Sequence, residues 1–291
     1  MSTGTHTTAS LKADPETEHH ALKGSAQVSP LVAGRPKSYE GPRPILASLL
    51  LRAPVQDVTE KIALDIIIPT YRLHIPTLQI ILSLRPSLTC SVTFILVVDD
   101  PASPPLPALQ DLVSSLNSNL NAHTNVDIRL LVNPSNLGAP ASRNTASTST
   151  WVHFLDDDVL PSPTLLLEAE RAIRELPEAA GFGADGVFST AVRMTGLVGF
   201  WDLAEKLGEG EEMPWGITAN LIVRRKAAGF LKISQINTHP PLFDPSYPKP
   251  GGGEDVDFCL RQSRWSRSSS HNGAGFLPAP KAIVCHPWWD N

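Results

Sequence analysis

Between residues 64 and 175, short apolar runs alternate four times with helix-like stretches, and this rhythm restricts the fold more than any other sequence feature. The apolar runs are rich in Val, Ile and Leu, as is typical of buried strands, and they lie at residues 64–68, 92–98, 126–132 and 151–155. Predicted helices follow them at residues 75–84, 105–120, 139–147 and 161–175. This order predicts an α/β fold with a Rossmann-like, mostly parallel sheet flanked by helices.

Polar residues follow each predicted strand. They are Pro69-Thr70-Tyr71-Arg72 after the first strand, Asp99-Asp100 after the second, Asn136-Leu137-Gly138 beyond the third, and Asp156-Asp157-Asp158 after the fourth. The carboxyl ends of parallel strands meet at one edge of a sheet, and open α/β sheets bind ligands there. We therefore expect a binding site at this edge.

The flanking parts of the chain read differently. Residues 1–44 are rich in Ser, Thr, His, Gly and Pro and hold few large apolar residues, so we expect residues 1–60 to be disordered apart from a short helix near 46–51. Residues 61–291 are expected to form one domain, and 42% of the chain is apolar, which suffices for a core. Its later part predicts strands at 216–224 and 281–285 and a helix at 254–265.

Composition argues against several classes of protein. A net charge of −5 disfavours a general nucleic-acid binder, and three widely spaced cysteines disfavour a zinc-thiolate site. No apolar stretch of roughly 20 residues predicts a membrane span, and the N-terminus lacks the basic start and apolar stretch of a signal peptide, so we expect a cytoplasmic protein with peripheral membrane contact left open. GxSxG and Walker A motifs do not occur.

Two acidic segments carry the chemical interest, and each has an ordinary alternative. Carboxylates of the triplet Asp156-Asp157-Asp158 could hold a divalent cation against a diphosphate, or the run could simply cap the next helix. Carboxylates behind Gly251-Gly252-Gly253 could accept a proton from a hydroxyl, or they could form an ordinary helix start in which Asp257 pairs with Arg261.

Other polar and aromatic residues are ambiguous when taken singly. His286 could complete a metal site or be structural. Trp215, Trp288 and Trp289 could stack on sugar rings or pack in the core. Arg143 could hold a phosphate or be an exposed helical arginine.

Taken together and in order, seven segments resemble the motifs of family 2 glycosyltransferases of the GT-A fold, over about residues 64–289. The segments are Ile68-Pro69-Thr70-Tyr71-Arg72, Val97-Val98-Asp99-Asp100, Asn136-Leu137-Gly138 through Ser142-Arg143-Asn144, Phe154-Leu155-Asp156-Asp157-Asp158, Asn220-Leu221-Ile222-Val223-Arg224-Arg225, Gly253-Glu254-Asp255-Val256-Asp257-Phe258-Cys259-Leu260-Arg261, and His286.

The resemblance implies an inverting, metal-dependent transfer of a sugar from a nucleotide-sugar, expected to be UDP-linked, to a hydroxyl of a glycan, lipid or small molecule. It implies one catalytic domain, with a donor-binding half at about 61–160 and an acceptor half at about 161–291. Asp255 would be the catalytic base and Glu254 its acidic neighbour. Mn²⁺ or Mg²⁺ would be held by Asp156, Asp158 and His286. Donor contacts would come from Pro69, Thr70, Tyr71, Asp99, Asp100, Gly138, Arg143 and Asp157.

The sequence departs from the family pattern in three places. Pro101-Ala102-Ser103-Pro104-Pro105 replaces the usual Gly-Ser, which puts the ribose contacts in doubt. Gln262-Ser263-Arg264-Trp265 is one residue short of QxxRW, so processive polymerisation is not expected. The chain stops at Asn291, as a truncated gene product or a short enzyme would.

Two other functions stay open. One is a nucleotidyltransferase on a similar sheet, although the glycine-rich phosphate loop expected after its first strand does not occur. The other is a non-catalytic relative that binds nucleotide-sugar without turning it over.

Overall fold

The computed structural model describes residues 60–120, 125–144, 147–177, 179–188, 211–224, 242–247, 252–267 and 273–286. Strands within these ranges are β1 (Ile62–Thr70), β2 (Cys90–Val98), β3 (Val126–Val132), β4 (Trp151–Leu155), β5 (Leu160–Pro161), β6 (Gly181–Phe188), β7 (Asn220–Arg224) and β8 (Phe276–His286). Helices are α1 (Ile75–Leu82), α2 (Leu106–Asn119), α3 (Ala139–Arg143), α4 (Leu165–Glu175) and α5 (Glu254–Ser266).

The strands form one mixed sheet in the order β3-β2-β1-β4-β7-β6-β8-β5. The first four strands run parallel, with Ile66 of β1 opposite Phe94 of β2 and His153 of β4. Beyond β4 the direction reverses, because β7 is antiparallel to both β4 and β6, while β8 is parallel to β6 and antiparallel to β5. The mostly parallel sheet predicted from the sequence is confirmed.

Alternate residues of the central strands belong to two separate hydrophobic cores. Ile66 and Ile68 of β1 belong to the larger core, which includes buried residues of α1, α2 and α4. Ile67 belongs to the second core, together with Phe154 of β4 and Phe258 of α5. Because successive side chains of a strand point to opposite faces, the apolar run in β1 requires helices on both sides.

Asp65, a buried residue in the first half of β1, binds the residues just before β4, at the edge of the sheet opposite the predicted site. Asp65 accepts hydrogen bonds from the hydroxyls of Ser147 and Ser149, each 2.6 Å long, and from the backbone N–H groups of Thr148 and Ser149. Burial alone would raise the pKa of Asp65, but these four donors hold it below its usual value. The carboxylate therefore fixes the segment that leads into β4.

A buried histidine links β4 to the far half of the sheet. His153 Nε2 lies 2.7 Å from Asn220 Oδ1, and the Asn220 amide nitrogen donates to the Ala282 carbonyl at 2.9 Å. Since the Asn220 oxygen must accept, His153 Nε2 is the donor, and its Nδ1 atom has no partner among the described residues. Burial lowers the pKa of His153 to about 4, so the ring is neutral.

Most predicted elements are confirmed, and their bounds show where local patterns failed. β3 and β4 have the predicted limits, whereas the predicted helix at 139–147 ends at Arg143, and the one at 161–175 begins only at Leu165. Residues 160–161 instead pair with β8, and β6 was not predicted.

Pro69 lies inside β1, although the sequence placed it beyond the strand end. The Thr70 carbonyl accepts a hydrogen bond from the N–H of Asp99, which follows β2, so the backbone groups of Thr70 point towards β2. The backbone groups of the preceding residue, Pro69, therefore point towards β4, where the pairing with β1 has already ended at Ile67 and Phe154. A proline there breaks no ladder hydrogen bond. No helix in the described part of the chain is long and apolar enough to cross a bilayer.

Candidate functional site

The acidic triplet forms a half-buried turn directly after β4. The hydroxyl of Thr70, the last residue of β1, donates to Asp157 Oδ2. Burial, and to a smaller extent the neighbouring charges of Asp158 and Asp156, raise the pKa of Asp157 to about 6 against the opposing effect of the Thr70 hydrogen bond. The turn thus concentrates negative charge, which favours proton or cation uptake.

Arg143, the last residue of α3, joins this turn to the start of α5. Its Nη2 atom lies 2.9 Å from Asp156 Oδ1, and its Nη1 atom lies 3.1 Å from Glu254 Oε1. The arginine side chain is only 5% exposed, so the alternative of an exposed helical arginine is wrong. Its guanidinium carbon also lies 5.8 Å from the centre of the Phe243 ring.

The start of α5 depends on two glycines with positive φ. Gly252 and Gly253 have φ values of +129° and +90°, and a Cβ atom at Gly253 would lie 3.3 Å from the Tyr247 ring. The turn brings Gly252 N to 2.7 Å from Glu254 Oε2, so this carboxylate binds both the glycine loop and Arg143. Side chains other than glycine are strained at these φ values, which explains the glycine run here.

Asp255 and Asp257 occupy the same helical turn but differ in their surroundings. Burial and the nearby charge of Glu254 raise the pKa of Asp255, while the Val256 N–H and Arg143 oppose the rise. Asp257 forms an ion pair with Arg261 at 2.8 Å, as the helix spacing predicted. The turn therefore contains one carboxylate with a raised proton affinity and one engaged in helix support.

Asp99, at the end of β2, organises the loop that leads to α3. Its Oδ1 atom accepts from Asn133 Nδ2 and Leu137 N, and its Oδ2 atom accepts from Gly138 N, each at 2.8 Å. Gly138 has a φ of 89°, which presents its N–H to the carboxylate. Both oxygens of the buried Asp99 side chain thus bind protein donors. The neighbouring Asp100 is half-buried, and its Oδ1 atom accepts from Ala102 N at 3.0 Å.

The remaining predicted site residues are spread more widely. Tyr71 follows Thr70 at the carboxyl edge and is 55% exposed, whereas Pro69 is buried in β1. Trp215 is half-buried and packs against the second core. His286 is the last residue of β8, next to Cys285, whose partner across the ladder is Leu160, two residues beyond Asp158. Trp288 and Trp289 lie outside the described residues.

Sequence reasoning missed the contacts that hold these residues together. It gave no role to Asn133 or Phe243, and it placed Arg143 against a phosphate rather than between two carboxylates. Phe243 lies 99 residues beyond its hydrogen-bonding partner Asn144, a separation at which no local pattern gives a signal. Asn133 carried the only usable signal, because it is a polar residue directly after a predicted strand.

The donor set at this edge is compatible with a hard divalent cation. Carboxylate oxygens suit Mg²⁺ and Mn²⁺, which often take one or two protein carboxylates plus phosphate and water oxygens. The turn places three consecutive carboxylates at the carboxyl end of β4, which fits the same cations. Within the ranges that the structure describes, no three His, Cys, Asp or Glu side chains are grouped to hold a metal by themselves, and the His286 side chain is not among those described. The three-residue metal site stays a prediction.

Comparison with solved structures shows a fold of the GT-A glycosyltransferase type. A mannosyltransferase, PcManGT from Pyrobaculum calidifontis, in complex with GDP-Man and Mn²⁺, matches with a TM-score of 0.51 at 15% identity, over 82% of this chain and 61% of its own. TarS from S. aureus, residues 1–349, matches with a TM-score of 0.53 at 14% identity, over 78% of this chain and 60% of its own. GalNAc-T7 with UDP, GalNAc and Mn²⁺ matches with a TM-score of 0.51 at 12% identity, over 79% and 44%.

The chain spans about three fifths or less of the length of these glycosyltransferases. At such identities the likeness concerns the fold alone. No protein-family model matches the sequence. No curated protein matches it either.

Proposed function

We propose that this protein is an inverting, metal-dependent glycosyltransferase of the family 2 type, which transfers a sugar from a nucleotide-sugar to an acceptor hydroxyl. One observation carries the proposal: Arg143 holds Asp156, in the acidic turn after β4, and Glu254, at the start of α5, on the same guanidinium. The two acidic segments on which the resemblance rests are therefore neighbours in space at the carboxyl edge of the sheet.

The surroundings of Asp255 support its assignment as the base. Its burial disfavours the charged form, so the carboxylate gains by accepting a proton. In the proposed step, the acceptor oxygen forms a bond to the anomeric carbon, the bond from that carbon to the nucleoside diphosphate breaks, and the acceptor proton moves to Asp255. Displacement from the opposite face inverts the configuration at the anomeric carbon.

The acidic turn supports the donor side of the proposal. Asp156 and Asp158, with His286, would hold Mn²⁺ or Mg²⁺, and the cation would supply positive charge opposite the departing diphosphate. The neighbouring PcManGT and GalNAc-T7 structures both contain Mn²⁺. The run of three consecutive carboxylates, Asp156 to Asp158, is the feature of this chain that agrees with such a cation.

We assign donor recognition to residues around the end of β1 and β2. Tyr71 exposes its ring at the carboxyl edge, where it could stack on a base. Asp100 is the more accessible acid of its pair, so we assign it to the nucleotide and Asp99, with Gly138, to holding the loop. Thr70 and Asp157 bind each other and would face the diphosphate together. On the acceptor side, Trp215 is the described candidate for stacking on a sugar ring.

The test is a screen of donors with the purified full chain. UDP-glucose, UDP-N-acetylglucosamine, UDP-N-acetylgalactosamine and GDP-mannose would each be added with and without Mn²⁺, while melting temperature and nucleoside diphosphate release are measured. We expect one donor or its nucleotide to raise the melting temperature only with Mn²⁺, and slow Mn²⁺-dependent release of diphosphate. Nucleotide-sugar binding without release of nucleoside diphosphate, with or without added acceptor hydroxyls, would indicate a non-catalytic relative. The absence of any nucleotide-sugar binding would remove the proposal.

A further inference from the structure

The guanidinium of Arg143 binds one carboxylate at each of its two terminal nitrogens. Nη2 binds Asp156 and Nη1 binds Glu254, with the face of the group near the Phe243 ring. The remaining Nε atom is buried and has no hydrogen-bond partner among the described residues. A planar fork held on two carboxylates has its position and orientation fixed.

Glu254 transmits that position to the catalytic helix. Its side chain is only 7% exposed, with one oxygen on Arg143 and the other on the N–H of Gly252. Glu254 is the first residue of α5, and Asp255 follows it directly. A shift of Glu254 would therefore move both the glycine turn and the backbone that carries Asp255.

Arg143 reaches these groups from an element that is itself held in place. Its helix, α3, begins after Gly138, whose N–H is bound by Asp99 of the β2 end. Ser142, beside Arg143, accepts from Asn133, which also binds Asp99. The arginine is thus fixed to the donor half of the sheet while its charge lies on the first residue of α5.

We propose that Arg143 is a positioning residue, which acts through Glu254 to set Asp255 at the correct distance from the acidic turn, and that it does not bind the donor. This inference rests on the proposed glycosyltransfer and adds to it the group that joins its two halves. The Arg143 side chain is only 5% exposed between its two carboxylates, so protein groups cover nearly all of the surface that a phosphate ligand would have to contact.

The proposal predicts a separation between binding and turnover. A misplaced base slows transfer in the bound complex, because small errors in the geometry of reacting groups have large effects on rate. Nucleotide affinity at saturating Mn²⁺ should hardly change, because Asp156 keeps its carboxylate for the cation when Arg143 is replaced. A donor ligand would show the opposite pattern.

The experiment compares four variants with the wild-type chain, using the donor that the wild type turns over. They are Arg143→Lys, Arg143→Gln, Glu254→Gln and the double variant Arg143→Gln/Glu254→Gln. Binding of UDP or GDP with Mn²⁺ is measured by calorimetry, and kcat is measured from diphosphate release. Arg129→Gln, which removes an exposed arginine paired with Asp127, is the matched control.

Arg143→Lys keeps the charge but cannot span both carboxylates, so we expect kcat to fall about tenfold and nucleotide affinity to stay within about threefold. In the double variant kcat should match that of Glu254→Gln within about threefold, because the two residues act as one unit. Should Arg143→Gln not fold, Arg143→Lys and the double variant, which leaves no unpaired charge at position 254, still decide the question.

Three results would overturn the inference. They are a loss of nucleotide affinity beyond about tenfold with kcat retained, additive effects in the double variant, and unchanged kcat in Arg143→Lys. A wild-type chain that releases diphosphate from none of the donors would remove the proposed function and this inference with it. A lowered kcat in Arg143 variants that still bind nucleotide as the wild type does would support both the proposed function and this inference.

Discussion

The side-chain amide of Asn144 pairs with the backbone of Phe243 through two hydrogen bonds, each 2.8 Å long. These two bonds connect the end of α3 to the segment 242–247. Phe243 in turn stacks on Phe258 of α5, with ring centres 4.5 Å apart, and meets Phe154 of β4 edge-on. One asparagine therefore holds an aromatic cluster that lies beneath the candidate catalytic helix.

Asn144→Ala should destabilise the protein by about 1–3 kcal/mol, because it leaves a backbone N–H and a carbonyl of Phe243 without partners. Chemical denaturation would measure the change. Asn117→Ala, which removes one hydrogen bond to the Ile128 carbonyl from an exposed helix position, is the control and should cost about 0.5–1.5 kcal/mol. Equal losses in the two variants would argue against the pairing.

Asp158→Asn should abolish Mn²⁺-dependent binding of nucleotide while leaving the free energy of unfolding within about 0.5 kcal/mol of wild type. The reason is the loss of a charged oxygen in the half-buried turn proposed to hold the cation. Calorimetric titration of UDP and GDP with and without Mn²⁺ would measure it, with Asp127→Asn as an exposed control. Retained Mn²⁺ dependence in Asp158→Asn would exclude this carboxylate as a ligand.

Asp255→Asn should leave donor affinity nearly normal and slow transfer by roughly 10²–10⁴-fold, the usual contribution of a general base. Asp257→Asn should have a much smaller effect, since Asp257 pairs with Arg261 on the helix surface. Donor affinity and transfer rate would be measured for both. A slow Asp257→Asn beside a fast Asp255→Asn would show that the base is the other carboxylate.

His153 should make stability depend on pH in a predictable direction. Its folded pKa is about 4 against about 6.5 when unfolded, so between these values the unfolded chain binds more protons and stability falls as pH falls. Between pH 7 and 5 the loss from this residue should be about 2 kcal/mol.

His153→Gln keeps an N–H donor for Asn220 but does not titrate, so its stability relative to wild type isolates the histidine. Denaturant unfolding at pH 7, 6 and 5 should show the wild type losing more stability than the variant. The comparison is needed because the raised pKa of Asp157 acts in the opposite direction over much of this range. Parallel pH curves for the two proteins would contradict a neutral, buried His153.

Local sequence patterns predicted the first half of the fold well. Strands β3 and β4 were placed to the residue because their apolar runs end at polar clusters. β6 was missed because its sequence, Gly181–Phe188, contains three glycines and no alternation of apolar and polar residues. Its strand character comes from pairing with β7 and β8, which no local window contains.

Within the candidate site, the sequence indicated residue types better than partners. The acidic turn and the start of α5 were both marked by their charge, and Asp257 with Arg261 followed from helix spacing. The position of Arg143 between Asp156 and Glu254 could not be predicted, because it depends on two ion pairs that join three elements. Likewise, Asp99 read as a ligand-binding acid until its contacts with Leu137 and Gly138 were visible.

The carboxylate of Asp65 has a consequence for where this molecule can move. Opening the segment before β4 would expose an ionised group that has four donors when closed, so that segment should exchange its amide hydrogens only when the whole sheet unfolds. The amides of Thr148 and Ser149 would then be among the slowest to take up deuterium. We therefore expect local opening of the native state at the opposite edge of the sheet, where Gly252 and Gly253 precede α5.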